Sequence, residues 1–132
     1  MDKTTVKVSF TIYSDRLDHD GITQRLSINP TYIRYRTERL KNGRVFGHDE
    51  WGINTEYEDS YDIEAQLSKI VNKLTCKKNE IKELCKEFSA KCSFVVVVKV
   101  ENDIFPSIGL TSSFMKFAGE IGADIGFDMY YF

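Results

Sequence analysis

The sequence predicts an α+β fold in which a mainly antiparallel sheet carries helices packed on one face. Three observations point there. Residues 93–100 read Ser-Phe-Val-Val-Val-Val-Lys-Val; β-branched valines favour an extended backbone. An apolar run without alternation implies a strand covered on both faces, hence a sheet centre. Residues 4–13 alternate, with Val6, Val8, Phe10 and Ile12 on one side and Lys7, Ser9 and Thr11 on the other, the period of a half-buried strand. Segments with helical apolar spacing fall between such strands, which is the pattern of an α+β sandwich.

In chain order, the first strand ends at Ser14 and Asp15. A short helix follows, capped by Asp18 or Asp20, with Ile22 and Leu26 one turn apart. It closes at Pro30, because the residue before a proline is pushed out of helical geometry. Tyr32 to Leu40 reads as an exposed or edge strand, and Asn42-Gly43 as a type I′ hairpin turn, since Asn and Gly tolerate positive φ. The returning strand covers Val45, Phe46 and then Trp51 to Tyr57, with a bulge or wide loop near Gly47. Ile63, Leu67, Ile70, Val71 and Leu74 form a helical stripe capped by Ser60 or Asp62. Ile81, Leu84, Cys85 and Phe88 form another, separated from the first by a break or kink at Thr75–Asn79. After the valine strand, Asn102-Asp103 makes a tight turn into Phe105–Leu110, where Pro106 predicts an edge position. Thr111 or Ser112 caps a last helix carrying Phe114, Phe117, Ala118 and Ile121, with Gly122 at its C-cap. The final strand alternates through Ile125, Phe127, Met129 and Tyr131. The order is β-α-β-β-α-α-β-β-α-β, and a ferredoxin-like two-layer sandwich with one extra unit is its simplest solution.

The chain has 132 residues and a net charge of −2. That length predicts one domain, 1–132, with a core large enough to need no disulfides. The charge provides no overall field toward nucleic acid or anionic membrane. No apolar run is long enough to span a bilayer, and the first residues lack a signal-peptide pattern, so the cytoplasm is the expected compartment. Cys76, Cys85 and Cys92 are odd in number and contain no C-x-x-C pair, which predicts reduced thiols rather than a zinc site. Cys85 and Cys92 are spaced to approach each other across a turn.

Four segments resemble a family of small bacterial proteins, the domain of unknown function 4279. Gly21-Ile22-Thr23-Gln24-Arg25-Leu26-Ser27-Ile28-Asn29-Pro30-Thr31 is similar to that family's I-T-x-x-L-x-I-x-P-T segment. Trp51-Gly52-Ile53-Asn54-Thr55 resembles its W-x-I-x-T/S strand, and Asp62-Ile63-Glu64-Ala65-Gln66-Leu67 its D-[LI]-E-x-x-L helix start. Ile121 to Tyr130 resembles its L-G-A-x-I-x-x-D-x-Y close. The basic stretch Arg34–Arg44 is where departure from the pattern is expected. The resemblance implies no settled activity and no catalytic set. It does imply a comparison with immunity proteins that neutralise a neighbouring toxin.

Charge is unevenly placed. Arg34, Arg36, Arg39, Lys41 and Arg44 lie together, and no Lys or Arg follows until Lys69. Between them come Asp49, Glu50, Glu56, Glu58, Asp59, Asp62 and Glu64, interleaved with Trp51, Tyr57 and Tyr61. Aromatic anchors among acids suit a protein interface, because rings bury area at low entropic cost while acids steer a basic partner. Asp49, Glu50, Trp51, Glu56, Tyr57, Glu58, Asp59 and Tyr61 are therefore the candidate partner-binding residues, with a basic toxin domain as the partner. The competing reading is a solvated surface with Trp51 in the core.

A second class is a small-molecule or enzymatic pocket between sheet and helices, near Trp51, Asp124, Asp128 and Tyr130. Asp124 and Asp128 lie four apart on one strand and share a face. No nucleophile motif or phosphate loop is present, so no catalytic residue, cofactor or metal is expected. His48-Asp49-Glu50 lacks metal-ligand spacing, because neighbours on a strand point to opposite faces. Nucleic acid is the weakest option: the valine strand lacks the exposed aromatics of an RNA-reading sheet.

Overall fold

A computed structural model describes residues 3–37, 43 and 47–132. Strand β1 (Thr5–Ser14) is the longest-connected element, because its two sides pair with three others. Helix α1 (His19–Leu26) follows; the Asp18 carboxylate accepts the Gly21 N–H at 3.1 Å, and Ser27 ends the helix in the left-handed region. Strands β2 (Tyr32–Arg34) and β3 (Asp49–Asn54) form an antiparallel pair, and a two-residue β4 (Glu58–Asp59) returns to the start of β1. Helix α2 (Ile63–Leu74), a 3₁₀ turn at Thr75–Lys77 and helix α3 (Lys78–Glu87) lead into β5 (Lys91–Val100). Helix α4 (Ser112–Glu120) crosses back to β6 (Ala123–Tyr131). Asp62 caps α2 and Thr111 caps α4, each side chain accepting an N–H of the first turn.

The six strands make one sheet in the order β2-β3-β1-β5-β6, with β4 beside β1. The β1–β3, β1–β4, β1–β5 and β2–β3 pairings are antiparallel, whereas β5 and β6 run parallel. The sheet is therefore mixed. Parallel pairing follows from α4, since a helical crossover returns the chain in the same direction.

Core residues occupy one parity of each strand: Val6, Val8, Phe10 and Ile12 on β1, Trp51 and Ile53 on β3, and Cys92, Phe94, Val96, Val98 and Val100 on β5. They join Ile22 and Leu26 of α1, Ile63, Leu67, Ile70 and Leu74 of α2, Ile81 and Leu84 of α3, and Phe114 and Phe117 of α4 in one cluster. All helices contribute to this single layer.

The sequence expectation of a valine strand covered on both faces is corrected here. Val96 and Val98 are fully buried, but Val95 and Val97 are half-buried on the side away from the helices. Beside them lie Ser9, Lys7, Gly126 and Asp128 of the flanking strands, and among the described residues no second layer of chain. β5 is also one strand in from the β6 edge.

Two further expectations change. Phe105–Leu110 is irregular rather than an edge strand: the Ser107 N–H donates to the Tyr61 carbonyl at 2.6 Å and its carbonyl accepts the Ile63 N–H at 3.2 Å, so this loop latches the start of α2. Of the described residues 32–37 only Tyr32–Arg34 is strand, and the returning strand, regular over Asp49–Asn54, ends before Thr55 and does not reach Tyr57. Asn42, and with it the type I′ turn, lies outside the described residues, as do Arg39, Lys41, Arg44, Val45 and Phe46. The Asn102-Asp103 turn is present, both residues at positive φ between Glu101 and Ile104. The Thr4 hydroxyl donates to the Ile104 carbonyl and accepts the Glu101 N–H, fixing that turn to β1.

Candidate functional site: the uncovered sheet face

The parity that buries Phe10 and Val96 turns Lys7, Ser9, Thr11 and Tyr13 of β1, Glu50 of β3, Ser93, Val95, Val97 and Lys99 of β5, and Asp124, Asp128 and Tyr130 of β6 to the opposite side. Among the described residues no helix covers them.

At the β2–β3 end this face is built by a ring and a backbone gap. Gly52 is buried beneath the Tyr32 ring; a Cβ there would lie inside the ring's contact surface. Tyr32 can therefore lie flat across β3, its hydroxyl hydrogen-bonded to the Thr11 hydroxyl. Burial raises the phenol's pKa, and the nearby Glu50 charge adds to that, against the opposing Thr11 bond and Arg34. Glu50 accepts a hydrogen bond from His48 Nε2 at 2.9 Å, and the His48 ring stacks on Tyr13 with centroids 5.1 Å apart. Together with Ser9, Ser93 and Val95 these side chains enclose an open hollow of about 520 Å³.

At the opposite end, the Tyr57 ring lies 3.9 Å from Lys99 Nζ and 5.2 Å from Lys7 Nζ, a ring shared by two cations. Asp59 pairs with Lys3 at 3.8 Å beside it. Asp124, Asp128 and Tyr130 are exposed along the β6 margin. The face thus presents hydroxyls and half-buried valines at its centre, with rings and paired charges at its borders.

The predicted partner-binding residues divide between four places. Glu50, Tyr57 and Asp59 border this face. Glu56 and Tyr61 are exposed on the connecting loops, while Glu58 faces the helix side, where the Lys69 ammonium holds its carboxyl below the usual range. Trp51 is buried among the core residues beneath α1, its Nε1–H donating to the Thr23 hydroxyl at 3.0 Å. Asp49 is buried as well. Its carboxylate accepts the Leu17 N–H at 2.9 Å and the Arg36 N–H at 2.8 Å. Desolvation opposes the charge, but those two N–H groups outweigh it and hold the pKa below the ordinary value. Asp49 ties two loops to β3 and offers no surface. The continuous acidic-aromatic strip expected from the sequence is not one surface, because strand alternation and local burial distribute it.

The predicted pocket residues separate too. Trp51 lies on the helix side, whereas Asp124, Asp128 and Tyr130 lie on the other side and across the sheet. Sequence reasoning missed Ser9, Thr11, Tyr13, Tyr32, Ser93 and Val95 as neighbours in one hollow. A signal existed: Ser93 and Lys99 share the parity of Val95 and Val97, and polar residues at both ends of one parity mark an open face.

The fold and face define a class: a small α+β protein that, among the described residues, has one helical layer and leaves the other sheet surface bare. The chain belongs to the family described as a domain of unknown function, DUF4279, which it matches over residues 4–132. No curated protein and no solved structure matches it. Among the described residues no helix is long and apolar enough to cross a membrane.

Proposed function

We propose that this chain is a non-catalytic binding protein that recognises a protein partner through the bare face of its sheet. The observation that carries this reading is that Val95 and Val97 are only half-buried, one strand in from the β6 edge of a sheet whose other face holds the entire described core. Apolar area inside a polar and aromatic border is the anatomy of a recognition surface. The mixed charges at its borders favour a partner with its own alternating charge over a uniformly basic one. Neutralisation of a toxin in the cytoplasm is the particular role that the family resemblance implies, and the unpaired cysteines agree with a reducing compartment.

The test is capture from a native lysate with the intact protein and with Ser93→Arg/Val95→Arg, which places two long cations at the centre of the face. A partner retained by the wild type and lost by at least tenfold with the double variant supports the reading. Equal retention by both, or loss only on charge reversal of Glu56 and Tyr61→Ala, contradicts it.

A second reading rests on the hollow beside Tyr32. Its volume is of the size that holds a small ligand, and the Tyr32 and Thr11 hydroxyls with the His48–Glu50 pair converge on it. A metabolite that raises the melting temperature of the wild type but not of Tyr32→Phe favours this reading.

For the fold we take the ferredoxin-like sandwich as the finer description. β2, β3, β1 and β5 lie side by side, each antiparallel to the next, joined as β-α-β-β-α-β, and α4 with β6, parallel to β5, is the added unit.

A further inference from the structure

Among the described residues nothing pairs with the outer edge of β6, and its backbone groups have a fixed direction. The Phe132 N–H donates to the Val100 carbonyl at 3.0 Å, so even-numbered residues of this strand turn their N–H groups toward β5. By alternation, Ala123, Ile125, Phe127, Met129 and Tyr131 turn their N–H and C=O groups outward. Their side chains lie on the helix side, where Phe127 is 38% and Tyr131 65% exposed. Sheet edges of soluble proteins are usually blunted by lysine, proline or a bulge. β6 carries no lysine, proline or bulge, and its two charges, Asp124 and Asp128, lie on the bare face and not among the outward-bonding residues.

From this we infer that a second copy of the chain pairs with this edge, antiparallel, about a two-fold axis through Phe127. A two-fold axis perpendicular to the sheet keeps like faces together, so residue parities must match across it. Pairing about Gly126 sets Asp124 opposite Asp128, and pairing about Asp128 sets that carboxylate against itself. Pairing about Phe127 sets Phe127 against Phe127, Ile125 against Met129 and Ala123 against Tyr131, each a pair with outward backbone groups. On the bare face it sets Asp124 against Tyr130 and Gly126 against Asp128, so no acid meets an acid. Registers about Ile125 or Met129 use fewer residues of the strand. The central register uses the whole strand, with about ten interchain backbone hydrogen bonds. The dimer doubles the six-stranded sheet and makes the two bare faces continuous.

The experiment measures mass by light scattering and sedimentation on the intact protein, with circular dichroism to verify folding. The wild type is expected to be a dimer at about 10 μM. Phe127→Lys and Phe127→Asp should each be folded monomers, because each places like charges on the axis. Mixing the two should restore a one-to-one dimer. A monomeric wild type at about 500 μM overturns the inference, as does a dimer that both single variants retain, or a mixture of folded variants that stays monomeric. Should either variant unfold, exposed Tyr130 carries the test. Tyr130→Asp sets acid against Asp124 across the axis and should give a monomer, and Tyr130→Asp/Asp124→Lys should restore the dimer. A dimer from the first or a monomer from the second overturns the inference.

Discussion

Tyr32 and Gly52 occupy one another's space: the phenol lies across the glycine where any side chain would stand, and its hydroxyl reaches Thr11 on the next strand. A single missing Cβ thus shapes the hollow on the bare face. Gly52→Ala should displace the ring, break the Thr11 bond and cost about 1–3 kcal/mol of stability. Tyr32→Ala/Gly52→Ala should recover part of the loss, because the intruding methyl then meets no ring. Urea unfolding of the wild type and the two variants checks this; equal losses in the single and double variants would contradict it.

Asp49 predicts a pH dependence. Its folded pKa is below the ordinary value, so the stability it supplies is fully present above the unfolded carboxyl pKa of about 3.9 and is lost as pH falls through the folded value. Asp49→Asn removes the charge from two backbone hydrogen bonds and turns an N–H₂ group toward one of them, at a cost of about 1–3 kcal/mol at pH 7. Urea midpoints from pH 7 to 2 should converge for variant and wild type on the acid side.

Trp51→Phe should destabilise by about 1–3 kcal/mol without altering any binding at the bare face. The indole is completely buried, and its N–H bond to Thr23 holds α1 to the sheet. Loss of partner binding by a folded Trp51→Phe protein would return Trp51 to the interface.

Cys85 and Cys92 provide a chemical prediction. A hydrogen bond from Cys92 lowers the pKa of Cys85, more than its partial burial raises it. The same bond, with burial, pushes Cys92 far up, and the Ile121 carbonyl at 3.4 Å is the alternative acceptor for its single S–H. Alkylation of Cys85 should set in below the pH of an ordinary thiol, while Cys92 stays unmodified in the native state. Peptide mapping after iodoacetamide treatment between pH 6 and 9 reads both; modification of Cys92 before Cys85 would contradict the arrangement.

Strict alternation made β1 legible, and side-chain caps marked α1, α2 and α4: Asp18, Asp62 and Thr111 are each where the sequence offers a short polar acceptor before an apolar stripe. The second face of β5 was hidden because four valines read identically whichever way they point. Only Ser93 and Lys99 reveal the parity. Pro106 misled for another reason. A proline argues against a central strand but does not argue for an edge strand, and here it is buried in a loop latched to Tyr61 and Ile63. The site was less legible than the fold. Residues adjacent in sequence, such as Asp49, Glu50 and Trp51, part to opposite faces, while Thr11, Tyr32 and Ser93 meet only through strand order, and a one-dimensional pattern carries no record of strand order.

The account depends on a sheet with one face packed and the other bare, and adjacent valines test it. Lysine replaces Val95 in one variant and Val96 in another, and unfolding in urea is measured for each. Val95→Lys should cost about 1 kcal/mol or less, since its stem lies on the sheet and its charge stays in water. Val96→Lys should cost more than about 4 kcal/mol or prevent folding, since the charge is buried without a partner. Comparable losses at the two positions would show that the bare face is covered, and the binding reading would go with it.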